Sequence, residues 1–165
     1  MPRLVLAELT PDNLPAAAGL RVAPGQEGFV ASVLESVAEA YVNPPAWPRV
    51  VLRDGEVVGF VMASFDPDNE IEEFRAGVWR LLVDASAQGS GVGRFAVEQV
   101  AREAQRRGVD RLTVLWERAE GGPEGFYLHL GFVPTGVELF GEVVGALDLR
   151  PLDPWRPRPA RARHP

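Results

Sequence analysis

Gln88-Gly89-Ser90-Gly91-Val92-Gly93 is flanked by two apolar stretches of different period: residues 74–84, which read as a strand, and residues 91–107, which read as a helix. A glycine-rich turn between a strand and a helix N-terminus is a device for holding an anion. The first-turn N–H groups have no partner inside the helix, the peptide dipoles add partial positive charge there, and glycines let a phosphate approach bare backbone. A Walker-type loop is excluded. It needs a lysine and a Ser or Thr after its last glycine, whereas Arg94-Phe95 follow here and the chain contains no lysine. Gly91-Val92-Gly93-Arg94-Phe95-Ala96 fits the dinucleotide fingerprint formally. That fingerprint belongs to a βαβ series, however, and the strand-like segments before this loop include an antiparallel hairpin closed by Asp54-Gly55.

Working outward toward the N-terminus, residues 49–53 and 56–64 are the arms of that hairpin, and Gly59 inside the second arm predicts a bulge or a close backbone approach. Pro44-Pro45-Ala46-Trp47-Pro48 reads as a stiff connector. Residues 3–9 read as a first strand, and Thr10-Pro11-Asp12 as the capped start of a short helix reaching about residue 20. A second helix is expected from near Gln26, with Val30, Val33, Leu34, Val37 and Tyr41 as its apolar stripe. Its other face carries Glu35 and Glu39, like charges one turn apart that oppose the helix unless a cation lies near. Residues 66–73 hold Asp66, Asp68, Glu70, Glu72 and Glu73; the spacing lacks the glycine and terminal glutamate of a calcium loop, so no metal is expected and the run reads as a solvated rim that attracts cations.

Toward the C-terminus, the helix at 91–107 pairs Glu98 with Arg102 and Glu103 with Arg107 outside, and stops at Gly108. Then come a strand at 110–117, a helix at 123–130 ended by Gly131, and strands at 132–139 and 142–149. The sum is an α/β fold, a mixed and mostly antiparallel sheet of about seven strands flanked by about four helices. It occupies residues 1–149, followed by a Pro/Arg-rich tail, 150–165, whose five prolines and five arginines show no periodicity and predict flexibility.

Composition bounds the function. With 165 residues, 46% hydrophobic and 24% charged, the chain is one globular domain, expected as a monomer or a simple oligomer such as a homodimer. The absence of cysteine excludes disulfides, thiolate metal ligands and a cysteine nucleophile. No run approaches membrane-spanning length and the N-terminus shows no signal pattern, which predicts a cytoplasmic protein without membrane partners. Residues 1–149 contain 12 arginines and 22 acids, a net charge of −10. Such a body argues against nucleic acid as a ligand and would draw a polycationic amine inward.

Two motifs now carry a family resemblance. Gln88-x-x-Gly91-x-Gly93 after Leu81-Leu82-Val83 resembles the acetyl-CoA signature of the GNAT superfamily of N-acetyltransferases, and Gly125-Phe126-Tyr127-Leu128-His129-Leu130-Gly131-Phe132 is similar to its second motif, an aromatic helix ending in Gly-Phe. Within that superfamily, Gln26-Glu27-Gly28-Phe29-Val30-Ala31-Ser32, Ser36, Ala38-Glu39-Ala40-Tyr41 and Trp79-Arg80-Leu81 resemble bacterial spermine/spermidine N-acetyltransferases, a similarity running roughly from Arg3 to Leu149. Two departures stand out: the family's asparagine seven residues before the tyrosine is Glu120 here, and Gly121-Gly122-Pro123 replaces the usual start of that helix.

The resemblance implies acetyl transfer from acetyl-CoA to a small amine, a polyamine foremost, in a ternary complex. Gln88, Gly89, Ser90, Gly91, Val92, Gly93 and Arg94 would hold the pyrophosphate, Leu81, Leu82 and Val83 would pair with the pantetheine amides, and Tyr127 would touch the cofactor and protonate the departing thiolate. A primary amine begins as ammonium, so a carboxylate must take its proton. Glu72 and Glu73 are the candidate bases, while Glu35, Glu39 and Glu142, with Glu138, are candidates for gripping the substrate's charge or its proton. His129, two residues beyond Tyr127 on the helix, reads as a surface residue. The rival readings are an aminoglycoside or peptide N-terminus as acceptor, and a non-catalytic acyl-CoA-binding module.

Overall fold

The computed structural model describes residues 3–151 and 153–155 and contains one seven-stranded sheet. In chain order its strands are β1 Leu4–Ala7, β2 Ala46–Arg53, β3 Glu56–Phe65, β4 Ala76–Val83, β5 Arg111–Trp116, β6 Val133–Leu139 and β7 Glu142–Asp148. The helices are α1 Leu14–Ala18, α2 Val33–Val42, α3 Val92–Arg106 and α4 Glu124–His129. Spatially the order is β1-β2-β3-β4-β5-β7-β6, antiparallel throughout except for β4 beside β5. A parallel pair needs a crossover, and the glycine loop with α3 is that crossover.

Period-two alternation gives the sheet two buried faces. Val61, Ala63, Val78, Leu112, Val114 and Trp116 share one core with the inner stripe of α3 and with Tyr127 of α4. Val50, Phe60, Met62 and Leu82 share the other with Ala17 of α1 and Val33 of α2. On β5, therefore, Thr113 and Leu115 point to the α1/α2 side. The α3 helix runs as expected, its buried Val92, Ala96, Val97, Val100, Ala101 and Ala104 at helical spacing, and Gly108 turns left-handed just past its end.

Two ladder irregularities shape the site. Val51 lies opposite Gly59 and Leu52 opposite Val57, which leaves Val58 as an extra residue. Both parts of the Gly59 expectation are met, since a Cβ there would come within 3.0 Å of Val92 and 3.2 Å of the Leu82 carbonyl oxygen. Farther on, Met62 lies opposite Arg80 and Ala63 opposite Val78, so Trp79 is a bulge in β4.

Several boundaries differ from the sequence reading, each for a local reason. The helix expected from Gln26 breaks into a 3-10 turn, Glu27–Phe29, and α2, because Val30 is extended and Ser32 starts a new helix by accepting the Glu35 N–H at 3.2 Å. The inner face of α2 is then Val33, Ser36, Val37 and Ala40, while Leu34 and Tyr41 face solvent. Ser36 is buried because its hydroxyl donates to the Ser32 carbonyl at 2.9 Å, a satisfied polar group that an apolar stripe cannot reveal. Thr10 does not cap α1; it exchanges hydrogen bonds with Asn13, at 2.9 and 3.2 Å, and the helix begins only at Leu14. Pro48 lies within β2 rather than in a connector, tolerated because β1 pairs only with Val50 to Arg53 and nothing beside Pro48 on that edge calls for an N–H. The strand expected from residue 74 starts at Ala76, after a 3-10 turn, Glu72–Phe74.

Of the expected flexible tail, residues 152 and 156–165 lie outside the described residues. Its first part is held: Gln105 donates to the Leu149 and Pro151 carbonyls at 3.1 and 3.2 Å, and the Trp155 indole N–H donates to the Leu130 carbonyl at 3.0 Å.

Candidate active site

The β4 and β5 strands pair only at Gly77–Thr113 and Val78–Val114. The Trp79 bulge follows at once, and beyond it Leu81, Leu82 and Val83 ladder only with β3, while Leu115 and Trp116 ladder only with β7. The two inner strand edges thus part and expose unpaired backbone in the middle of the sheet. They frame a cleft of about 1400 Å³. Small-molecule sites usually occupy about 300–1,000 Å³, so this one has room for two substrates at once.

At one end of the cleft stands the glycine loop. Gly89 and Gly91 are left-handed, at φ 74° and 85°, and the space around an ideal Cβ on either is open, so backbone alone faces outward there. Gly91 is the N-cap residue of α3, whose first-turn N–H groups follow it. Gly93 serves a different purpose, since a Cβ would meet the Phe126 ring at 3.1 Å and its absence lets α4 approach. Gln88 donates through its side-chain amide to Gln26 Oε1 at 2.7 Å and the Val83 carbonyl at 3.3 Å. The Ser90 hydroxyl is held between Arg53 and the Ala87 carbonyl, and Arg94 is ion-paired with Glu98 at 2.8 Å. Asp84, which the sequence reading passed over, accepts from Ser86 and from the Arg21 N–H and fixes the loop's start; those bonds hold its carboxyl below the ordinary range, the Ser86 hydroxyl foremost. An open backbone cradle at a helix N-terminus, continuous with an unpaired strand edge, fits a pyrophosphate joined to an extended amide-bearing arm, which is the shape of coenzyme A.

On the α3/α4 side of the sheet lies Tyr127. It is buried between the Trp116 ring, stacked with centroids 5.8 Å apart, and the edges of Phe126 and Phe132. Its hydroxyl has no hydrogen-bond partner among the described residues, and the residue lines the cleft. Burial pushes the phenol above its ordinary value, so it carries its proton throughout the physiological range. Trp116 is itself fixed by donating its indole N–H to Glu124 at 2.6 Å, at the first turn of α4. Glu124 was not among the residues singled out in the sequence; a buried tryptophan that needs an N–H acceptor was the available signal.

The α1/α2 side is assembled from side chains. Glu142 opens β7 and is half-buried; burial first, then the charge of Glu117, raises its carboxyl, while Arg80 opposes the rise. Arg80, next to the Trp79 bulge, ion-pairs with Glu39 of α2 at 3.2 Å, which supplies the cation that the Glu35/Glu39 pair required. Its Nε is buried without a partner among the described residues. Glu73 lines the cleft, and its carbonyl accepts from the Thr113 hydroxyl at 2.6 Å. Glu72 is ion-paired with Arg111 at 3.4 Å and does not line the cleft; Glu35 is exposed at the start of α2 and does not line it either. Glu138 faces Arg118 at 3.8 Å. His129 is exposed as expected, and it also borders the cleft.

The model of the acetyltransferase (GNAT) family matches residues 23–132. An uncharacterized N-acetyltransferase, ycf52, of Gracilaria tenuistipitata var. liui is 27% identical over 84 residues, 50% of this chain and 42% of that protein. A chloroplastic serotonin N-acetyltransferase 2 of Oryza sativa subsp. japonica is 35% identical over 78 residues, 47% of this chain and 35% of that protein. The matched stretch thus spans less than half the length of either relative. Among solved structures, an aminoglycoside 6'-N-acetyltransferase complexed with coenzyme A shares the fold with a TM-score of 0.65 at 19% identity, over 94% of this chain and 99% of that one.

Proposed function

Because the chain belongs to the GNAT acetyltransferase family, we propose that it transfers an acetyl group from acetyl-CoA to a primary amine by direct attack, with both substrates held in the one cleft. The observation that carries this reading is the parted β4/β5 edge, which runs from the glycine loop to a point with Tyr127 on one face of the sheet and Glu142 on the other. The cofactor supplies an activated thioester. The first-turn N–H groups of α3 and the loop from Gln88 to Gly93 bind its pyrophosphate, with Arg94 able to swing from Glu98 to add a charge-assisted contact. Backbone groups of Leu81, Leu82 and Val83 orient its amide arm, and an N–H of this edge faces the thioester oxygen, where one such donor is worth about 10²-fold or more in rate.

Tyr127 holds the proton that the departing sulfur needs. Glu142 accepts the proton that the ammonium must lose; its raised affinity for protons suits a base better than that of a fully solvated carboxylate. It is preferred to Glu72, which faces Arg111, and to Glu73. Glu39 then serves as the partner of Arg80 and not as a free substrate contact.

The acceptor we propose is a small cationic amine, with polyamines such as spermidine foremost. Glu117 and Glu142 on the acceptor side, Glu73 on the rim and the net charge of −10 on residues 1–149 support that reading. Its test is CoA-thiol release from acetyl-CoA with purified protein and a panel of spermine, spermidine, putrescine, an aminoglycoside and a short peptide. Release with the polyamines alone supports it. Release only with another panel member keeps the transfer and replaces the acceptor, and binding of acetyl-CoA with no release from any amine would leave a binding module.

A further inference from the structure

The molecule contains two hairpins with the same two-residue turn. At Asp54-Gly55 both residues are left-handed, at φ 49° and 86°, and the residue types are those the turn favours. At Phe140-Gly141 the backbone repeats this, at φ 54° and 77°, with a bulky aromatic where Asn, Asp or Gly belongs. A left-handed phenylalanine is a steric outlier. Nor does the ring repay the strain by burial, since Phe140 is 83% exposed. It does have one defined neighbour. Phe74, at the end of the 3-10 turn before β4, lies parallel to it, with centroids 6.1 Å apart and planes within 3°. Both rings border the cleft, and Glu142 stands two residues beyond Phe140.

We propose that Phe74 and Phe140 form an aromatic clamp that selects the acceptor by the apolar stem next to its reacting nitrogen, with Glu142 receiving the ammonium. The inference rests on the reading of this cleft as an amine acetylation site. The class selected is amines with a contiguous methylene or aryl stem, such as alkyl diamines and arylalkylamines. Hydroxyl-rich amines are disfavoured, because their hydroxyls would lose water against the rings without gaining a partner. The strain at Phe140 is then kept for what its exposed face binds rather than for the turn.

The test is calorimetric titration of n-propylamine through n-hexylamine into the protein with CoA present, for wild type, Phe140→Leu and Phe140→Asn. Burial of each methylene predicts about fourfold tighter binding per added carbon in wild type. Phe140→Leu keeps most of that gradient. Phe140→Asn, the residue the turn prefers, melts at or above the wild-type temperature and yet flattens the gradient to less than twofold per carbon. A gradient that survives in Phe140→Asn, or no chain-length dependence and no binding in wild type, overturns the clamp. Thiol release from acetyl-CoA with the same amines reads the transfer separately. A gradient without release supports the clamp and removes the transfer, and release without a gradient removes the clamp and leaves the transfer.

Discussion

The two ends of the cleft are built from different materials. The proposed cofactor end is almost entirely backbone: left-handed Gly89 and Gly91, the first turn of α3, and a strand edge left unpaired after the Trp79 bulge. The proposed acceptor end is side chains brought from five places, Glu39 on α2, Arg80 on β4, Glu142 on β7, Phe74 on the 3-10 turn before β4 and Phe140 on the turn between β6 and β7. A backbone cradle recognises what every acyl-CoA shares and tolerates change around it. On the proposal made above, the side-chain chamber selects one class of amine and fails residue by residue.

The sharpest way to break that division is at the boundary between the ends. Tyr127→Phe removes one oxygen from a buried ring, so turnover falls by about 10²-fold or more while acetyl-CoA affinity stays within about twofold; steady-state rates beside equilibrium binding check it. Equal losses in both would make Tyr127 a packing residue.

Glu142 tests the acceptor end through pH. Its carboxyl is raised from the ordinary 4.5 by burial and by Glu117, and a base works ionised, so the acidic limb of the rate profile lies above the ordinary glutamate value. Glu117→Gln moves the limb to lower pH and Arg80→Ala to higher, while Glu142→Gln abolishes it with a loss of about 10²-fold. Stability has the opposite sense. The folded protein holds this proton more tightly than the unfolded chain, so the stability it contributes is complete below the unfolded value and is lost as pH rises through the folded one. Urea titrations across that range read it.

Smaller effects are expected where glycine serves packing. Gly93→Val presses on Phe126 and lowers acetyl-CoA affinity by about tenfold, equivalent to about 1.4 kcal/mol. Gly145→Ala places a methyl on the Trp116 ring, at an overpacking cost of about 1–3 kcal/mol. Because that ring stacks on Tyr127, the variant lowers turnover along with the melting temperature.

The same division explains what the sequence disclosed. The Asp54-Gly55 turn, the α3 stripe and its Gly108 stop, and the glycine loop are local patterns whose physics lies within a few residues. The Trp79 bulge was not legible, because it is a mismatch of register between β3 and β4. The turn at Phe140-Gly141 was located by the strands read on either side of it, but its left-handed backbone was not legible, because the residue type contradicts the conformation that Phe140 adopts. The Arg80–Glu39 pair joins residues far apart in the chain, and Trp116 with Glu124 fixes α4 through a contact that no period announces. On α2 the buried Ser36 misled the apolar count, so Leu34 and Tyr41 were expected inside and lie outside.

The central claim is direct transfer with both substrates in the cleft. Initial rates of thiol release, with acetyl-CoA varied at several fixed amine concentrations, test it most directly. The account predicts double-reciprocal lines that intersect, since amine and thioester must be present together. Parallel lines, the mark of a covalent acetyl-enzyme, would contradict it.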